Sequence, residues 1–250
     1  MQDTPTKLDR SSSCPLWEQL EEILRSQIDN GHWQPGEAIL SENILSKNYE
    51  LSRMTVRSVI TRLVHEGLLY RVPGKGTFVA EPKIETTPLP YSGIRDQLEK
   101  KGYEITTKVT RNEIVTVTER VAKKLNVSSN SKALLIERVR YIKNKPLSLH
   151  RSYLKLDPEP NIEDSRLEQE QLCTILKDSF SIIPTRVEET LEMVYCSEKH
   201  SKRLDVPKSY PLLYLQDINY MGQKVVEYSE VYFKGEQVRL YFEYEGNLKN

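Results

Sequence analysis

"LSRMTVRSVITRLVHEGLLYRVPGKGTFVA", residues 51–80, changes its period partway along. After Ser52, a candidate helix cap, Val56, Val59, Ile60, Leu63 and Val64 fall on one arc at about 100° per residue, the apolar stripe of a helix. Met54, Thr55, Arg57, Ser58, Thr61 and Arg62 take the rest of the circumference, Arg53 stands at the N-terminal edge, and Gly67 ends the helix. LLYRV and GTFVA then bracket Pro73-Gly74-Lys75-Gly76 as two short strands around a hairpin turn.

Upstream, PLWEQLEEILRSQIDN (15–30) sets Leu16, Leu20, Ile23, Leu24 and Ile28 at helical spacing, with Gly31 as a stop and Pro35-Gly36 as a turn. Ser41 is a candidate cap for ENILSKNY, a short second helix expected to turn Ile44 and Leu45 inward. Three helices followed by a β-hairpin make a winged helix-turn-helix, whose third helix is built to enter a DNA major groove. Between residues 52 and 79, Arg53, Arg57, Arg62, Arg71 and Lys75 face only Glu66, a local excess of four positive charges in a chain of net charge zero. Such a one-sided patch suits a phosphate-tracking surface. Solvated arginines on an amphipathic helix would give the same count, but the Gly-Lys-Gly tip adds a cation on bare backbone that can approach a sugar-phosphate edge.

The bulk numbers agree with this reading. The 250 residues suffice for two modest domains, and 38% hydrophobic with 29% charged residues describes an ordinary globular chain. Cys14, Cys173 and Cys196 are scattered and odd in number, which argues against a disulfide framework and suits a reducing cytosol. The polar start, MQDTPTKLDRSSS, lacks the apolar core of a signal peptide, and no apolar run reaches membrane-span length, so a cytoplasmic location is expected. The four histidines have no metal-ligand spacing, and Gly74-Lys75-Gly76-Thr77 lacks the glycine and hydroxyl positions of a phosphate loop; no cofactor or metal is expected.

Residues 15–79 resemble the N-terminal domain of the GntR family of bacterial transcription regulators. The resemblance rests on Pro15-Leu16, the Gly31–Gly36 turn, Ser41-Glu42, Ser52-Arg53, Thr55-Val56-Arg57, Leu63, Glu66-Gly67-Leu68 and Gly74-Lys75-Gly76-Thr77-Phe78-Val79. It implies a homodimer on a near-palindromic double-stranded operator, with Arg53, Thr55 and Arg57 at the DNA and the wing tip at the minor groove or backbone. The DNA-binding set is expected to be Ser41, Asn43, Arg53, Met54, Thr55, Arg57, Arg62, Lys75, Gly76 and Thr77. The family usually carries arginine where this chain has Asn43, which donates a hydrogen bond but makes no charged, forked contact. Met54 could touch a thymine methyl or serve dimer or hinge packing; both readings stand.

EPKIETTPLP (81–90), with three prolines and no period, reads as a linker between a first domain at 10–80 and a second at 91–246. Strand-type runs are expected at 105–117, 133–142, 147–156, 186–196, 211–220, 224–233 and 238–244, and helices at 92–101, 118–126, 165–178 and 197–205. Together they make an α+β domain around a largely antiparallel sheet. A repeat lies within it: residues 118–154 align with 197–233 at a constant offset of 79, matching Leu125 with Leu204, Tyr141 with Tyr220, Lys145 with Lys224 and Tyr153 with Tyr232. The expected arrangement is two half-units about a pseudo-twofold axis, with a ligand cleft between them. On LLIERVRY, Leu134, Ile136, Arg138 and Arg140 share one face, so two arginines follow two core residues and need an anion. That anion is either a phosphate or carboxylate of a ligand, or an internal partner such as Glu227.

From Tyr91 onward the chain also resembles the UTRA effector-binding domain of the HutC-like branch of GntR regulators, through Tyr91-Ser92, Leu98, Gly102, Ala122, Leu125, Arg138-Val139-Arg140, Pro146, Ser152-Tyr153, Leu204-Asp205-Val206, Pro211-Leu212, Glu227-Tyr228-Ser229 and Phe233-Lys234. The resemblance implies a chorismate-lyase-like fold and a small anionic effector, such as a phosphorylated sugar or small acid, at Ser92, Arg138, Arg140, Glu227 and Phe233. His150 stands where the branch usually has a sugar-reading glutamate, and Gln171 and Cys173 replace a phosphate-supporting Ser-x-Tyr pair. His150 would add positive charge at mildly acidic pH. The expected effector set is therefore Ser92, Arg138, Arg140, His150, Gln171, Glu227 and Phe233. The function implied is a metabolite-responsive repressor, not an enzyme. The alternatives are a constitutive DNA-binding protein whose second domain only dimerises, and a lyase, for which Glu227 and His150 are the only acid-base candidates.

Overall fold

A computed structural model of the chain describes residues 7–86, 94–157 and 160–241. It divides into two compact units, Met1–Lys83 and Ile84–Asn250. In the first, α1 (Leu16–Asp29), α2 (Glu42–Tyr49) and α3 (Arg53–His65) precede a hairpin of β1 (Leu69–Val72) and β2 (Gly76–Val79). The Ser41 and Ser52 hydroxyls cap α2 and α3 by accepting from Ile44 N and Thr55 N at 3.3 and 3.1 Å. At the other end of α3, Gly67 N donates to Val64 O and Leu68 N to Leu63 O, a Schellman closure that requires the left-handed φ of +78° at Gly67. Leu20, Leu24, Leu45, Val56, Val59, Ile60 and Leu63 form the core, each at most 1% exposed; burying a side chain such as Leu63 contributes about 2 kcal/mol. Ile44, expected inward, is 44% exposed, because the buried face of α2 is set by Leu45 and, four residues on, Tyr49, which leaves Ile44 turned to the solvent side.

The second unit runs β3 (Ile84–Thr86), α4 (Ile94–Lys100), β4 (Ile105–Thr116), α5 (Glu119–Leu125), β5 (Lys132–Ile142), β6 (Lys145–Leu154), α6 (Asp164–Gln169), α7 (Leu172–Phe180), β7 (Arg186–Tyr195), α8 (Glu198–Leu204), β8 (Pro211–Met221), β9 (Lys224–Lys234) and β10 (Val238–Leu240). It is α+β, around a six-stranded antiparallel sheet of order β4-β5-β6-β9-β8-β7. Three residues of the stretch read as linker form β3, which pairs parallel with β10. The single helix expected at 165–178 is two, because Glu170 is extended and Gln171 begins a new helix.

The repeat is physical. Helices α5 and α8 and strands β5 and β8 are superposed by the 79-residue offset, as are their caps Thr118 and Ser197 and their left-handed C-caps Asn126 and Asp205. The halves meet along β6 and β9, where Arg151 pairs with Glu230, its own equivalent at that offset. The pseudo-twofold axis therefore passes through this pair. Because β6 and β9 are hydrogen-bonded, no cleft parts the halves; the expected ligand site lies instead on a face of one continuous sheet.

That sheet has two covered faces. Leu135 and Tyr228 pack with Val121 and Leu125 of α5, and Leu149 and Tyr232 with Leu204 of α8. On the opposite face, Leu134, Ile136 and Leu154 pack with Leu167, Ile175 and Leu176 of α6 and α7, while Leu215, Val231 and Phe233 pack with Leu98 of α4 and Val238 of β10.

Candidate functional site

In the first unit, one cleft of about 580 Å³ is lined by Ser41, Glu42 and Asn43 at the start of α2, Arg57 of α3, and Arg71 to Thr77 of the wing. The tip is placed by the register Leu69↔Val79 to Val72↔Gly76, with Ala38 bridging Phe78 as a short third strand. The side chains of Arg53, Arg57 and Lys75 are exposed and, among the described residues, none is held in an ion pair. Met54 is 73% exposed beside them, and Thr55 is turned back to the Ser52 hydroxyl at 2.8 Å. Arg62 stands apart. It donates to Glu21 at 3.2 Å and lies 4.2 Å over the Trp17 ring of α1, so its charge is already engaged. Arg71, which the expected set omits, enters the cleft and donates to Glu42 and Thr61 at 3.3 and 3.1 Å.

In the second unit, the period-of-two reading of β5 holds. Arg138 and Arg140 are each 4% exposed and face the same side as Leu134 and Ile136. In register with them on β6 stand His150 and Ser148, joined Oγ to Nε2 at 2.8 Å. Arg140 donates to Gln171 at 3.1 Å, and His150 meets the edge of Phe233 at 6.1 Å between centroids. Arg138 Nε is buried without a hydrogen-bond partner. Burial pulls the Arg138 pKa down, against the opposing pull of Glu227 and Cys173. The expectation that His150 charges in mild acid is overturned: burial first, then the charges of Arg140 and Arg138, hold its pKa well below the usual histidine range. It is a neutral hydrogen-bonding group. Ser92 lies outside the described residues.

Glu227 extends the site across the seam. Its carboxylate accepts from Asn219 Nδ2 at 2.9 Å, and burial raises its pKa against hydrogen bonds from Ser152 and Asn219 and the charge of Arg138. Asp217 accepts from Ser229 at 2.9 Å; burial, with Glu189 and Glu227 nearby, pushes its pKa up to about 7. A cavity of about 330 Å³ opens here, bounded by Cys173, Leu176, Lys177 and Ile182 and floored by Asn219 and Glu227. Ser148, Ser152, Asp217, Asn219 and Ser229 were not among the expected residues. Only the strand register brings them onto this face.

Two family models match the chain: the bacterial regulatory proteins of the gntR family over residues 16–79, and the UTRA domain over residues 100–239. The helix-turn-helix transcriptional regulator YurK of Bacillus subtilis is 32% identical over 198 residues, 79% of this chain and 82% of that protein. The transcriptional repressor NagR of the same organism is 26% identical over 231 residues, 92% of this chain and 95% of that protein. The crystal structure of PhnF from Mycobacterium smegmatis has the same fold, with a TM-score of 0.63 and 20% identity over 91% of this chain and 99% of that one.

Proposed function

The chain belongs to the gntR family of bacterial regulatory proteins, with a UTRA domain after its helix-turn-helix unit, and from this premise we propose a repressor released by a small anionic metabolite. The family makes it a DNA-binding transcription regulator rather than a lyase. What carries the effector reading is the buried pair Arg138 and Arg140. Two guanidinium groups folded onto a core face, with neutral His150 and two serine hydroxyls beside them, form a preorganised anion site. Repression is supported by relatives named as repressors, NagR among them.

The DNA-facing residues in this reading are Ser41, Asn43, Arg53, Met54, Thr55, Arg57, Lys75, Gly76 and Thr77, joined by Arg71. A second copy would set two such heads on the half-sites of a near-palindromic operator. Its docking face is the outer strand β7, where Leu191, Met193 and Tyr195 form an apolar row 41, 63 and 69% exposed beside an open strand edge. For release to weaken operator binding a hundredfold, the effector must prefer the released form by about 2.7 kcal/mol. Gel retardation with duplex selected from random sequence tests both halves. Arg57→Ala should abolish the shifted band. Arg138→Ala should raise at least a hundredfold the concentration of phosphorylated sugar or small acid needed for release; a normal response would remove the effector site from this face.

A further inference from the structure

The cleft beside the wing holds an acid where a phosphate backbone is expected to lie. Of its charged lining residues, Arg57, Arg71 and Lys75 are cations and Glu42 is the one carboxylate among the described residues. Glu42 stands in the first turn of α2, one residue after the Ser41 cap, and Arg71 comes across to it from β1. Arg71 lies two residues out from buried Leu69, so it shares the wing face that packs on the helices. Its Nη2 is held at two points, donating to Glu42 Oε1 at 3.3 Å and to Thr61 Oγ1 of α3 at 3.1 Å. The Thr61 hydroxyl donates in turn to Arg57 O at 2.7 Å, which leaves its lone pairs for Arg71. Arg57 and Lys75, by contrast, have no ion pair among the described residues.

An acid in the first turn of a helix has a bland role, since it suits the helix dipole. An ion pair whose side chains are 37 and 35% exposed likewise contributes little to stability. The placement of this pair says more. If Arg71 left Glu42 for a phosphate, the bared carboxylate would face the same backbone, and the repulsion exposed would offset the attraction gained. The pair therefore adds nothing to the net charge that a duplex meets, whichever way Arg71 turns. Asn43, next to Glu42, brings no cation to compensate. We propose that Glu42 limits the electrostatic grip of the reading head, holding Arg71 as a neutral pair and so keeping sequence-independent affinity for duplex low. This rests on the assignment of the cleft to DNA above and adds an acid that works against binding. Base contacts from α3 then carry a larger share of operator affinity.

The test is fluorescence anisotropy of the full chain on two labelled duplexes, one selected for binding from random sequence and one unselected, across a potassium chloride series. Glu42→Gln adds one net positive charge per head, so on the selected duplex the log–log slope should steepen from about −5.4 to about −7.2, and a step from 50 to 200 mM should cost about 20,000-fold. The unselected duplex should bind the same variant roughly tenfold tighter at 50 mM. Arg71→Ala bares Glu42 and should flatten the slope to about −3.6, while Glu42→Gln combined with Arg71→Ala should restore about −5.4. A purely structural Glu42 would shift thermal melting and leave the slope alone. A Glu42→Gln slope equal to wild type, or a double variant that keeps the Arg71→Ala slope, overturns the proposal and makes Arg71 an ordinary phosphate contact. A slope that Lys75→Ala leaves unmoved instead overturns the assignment of the cleft to DNA. Glu42→Gln keeps an acceptor for Arg71 and leaves the Ser41 cap in place, and circular dichroism checks its fold.

Discussion

The salt dependence of operator binding measures which cations meet phosphate, and the structure fixes the number. At each reading head Arg53, Arg57 and Lys75 are unengaged, Arg71 is tied to Glu42, and Arg62 is spent on Glu21 and Trp17. In the proposed complex of two heads on one operator, three cations per head without an ion pair among the described residues give a log–log slope of about −5.4, so raising salt from 50 to 200 mM should weaken binding about 2,000-fold. Lys75→Ala removes one contact per head; the slope should become about −3.6 and the same salt step should cost only about 150-fold. Arg62→Ala should leave the slope alone, although the loss of its stacking on Trp17 lowers stability slightly. Fluorescence anisotropy with a labelled operator duplex, titrated at four or five potassium chloride concentrations, reads both slopes. If Arg62→Ala flattens the slope as much as Lys75→Ala does, the assignment of these two charges is wrong.

Three further outcomes follow from the second unit. Asp217 has its pKa raised to about 7, so its contribution to stability is fully present below the ordinary carboxylate range and lost as pH rises through about 7; Asp217→Asn should therefore be more stable than wild type at pH 8, by on the order of 4 kcal/mol, and no more stable near pH 4, in urea melts. Glu230, fully buried, accepts from Tyr214, Arg120, Arg151 and Tyr228, and although burial would raise its pKa these partners hold it below the usual carboxylate value. Glu230→Gln should cost about 3–5 kcal/mol near pH 7, a deficit that shrinks as pH falls below the ordinary glutamate range and through the depressed pKa of the folded carboxylate. Met193→Lys on β7 should shift the sedimentation coefficient from dimer towards monomer; an unchanged value would place the contact between copies elsewhere.

The winged helix-turn-helix was legible because its signals are local: serine caps, an apolar arc and a glycine-tipped hairpin each lie within a few residues. Strand alternation likewise put Arg138 and Arg140 on the core side without any knowledge of neighbours. The pairing of Arg62 was not legible because a helical projection tells exposure but not what lies across the gap, and Trp17 and Glu21 are some 40 residues away in sequence. Asp217 and Asn219 escaped for the same reason; their place in the site depends on the β8–β9 and β6–β9 registers. The constant offset already placed them under the two arginines. What it could not reveal is that the axis runs perpendicular to one sheet and keeps both pairs on one side.

At the axis, Arg151 faces Glu230 across the seam, each occupying the other's place in the opposite half. Had the halves begun as identical polypeptides that associated, that residue would have confronted its own duplicate, and any charge there would have been repelled by itself. Neither arginine nor glutamate suits such an ancestor; an uncharged side chain does. With both halves in one chain the two positions differ, so the bridge favours the pairing of unlike halves and disfavours the pairing of either half with a copy of itself.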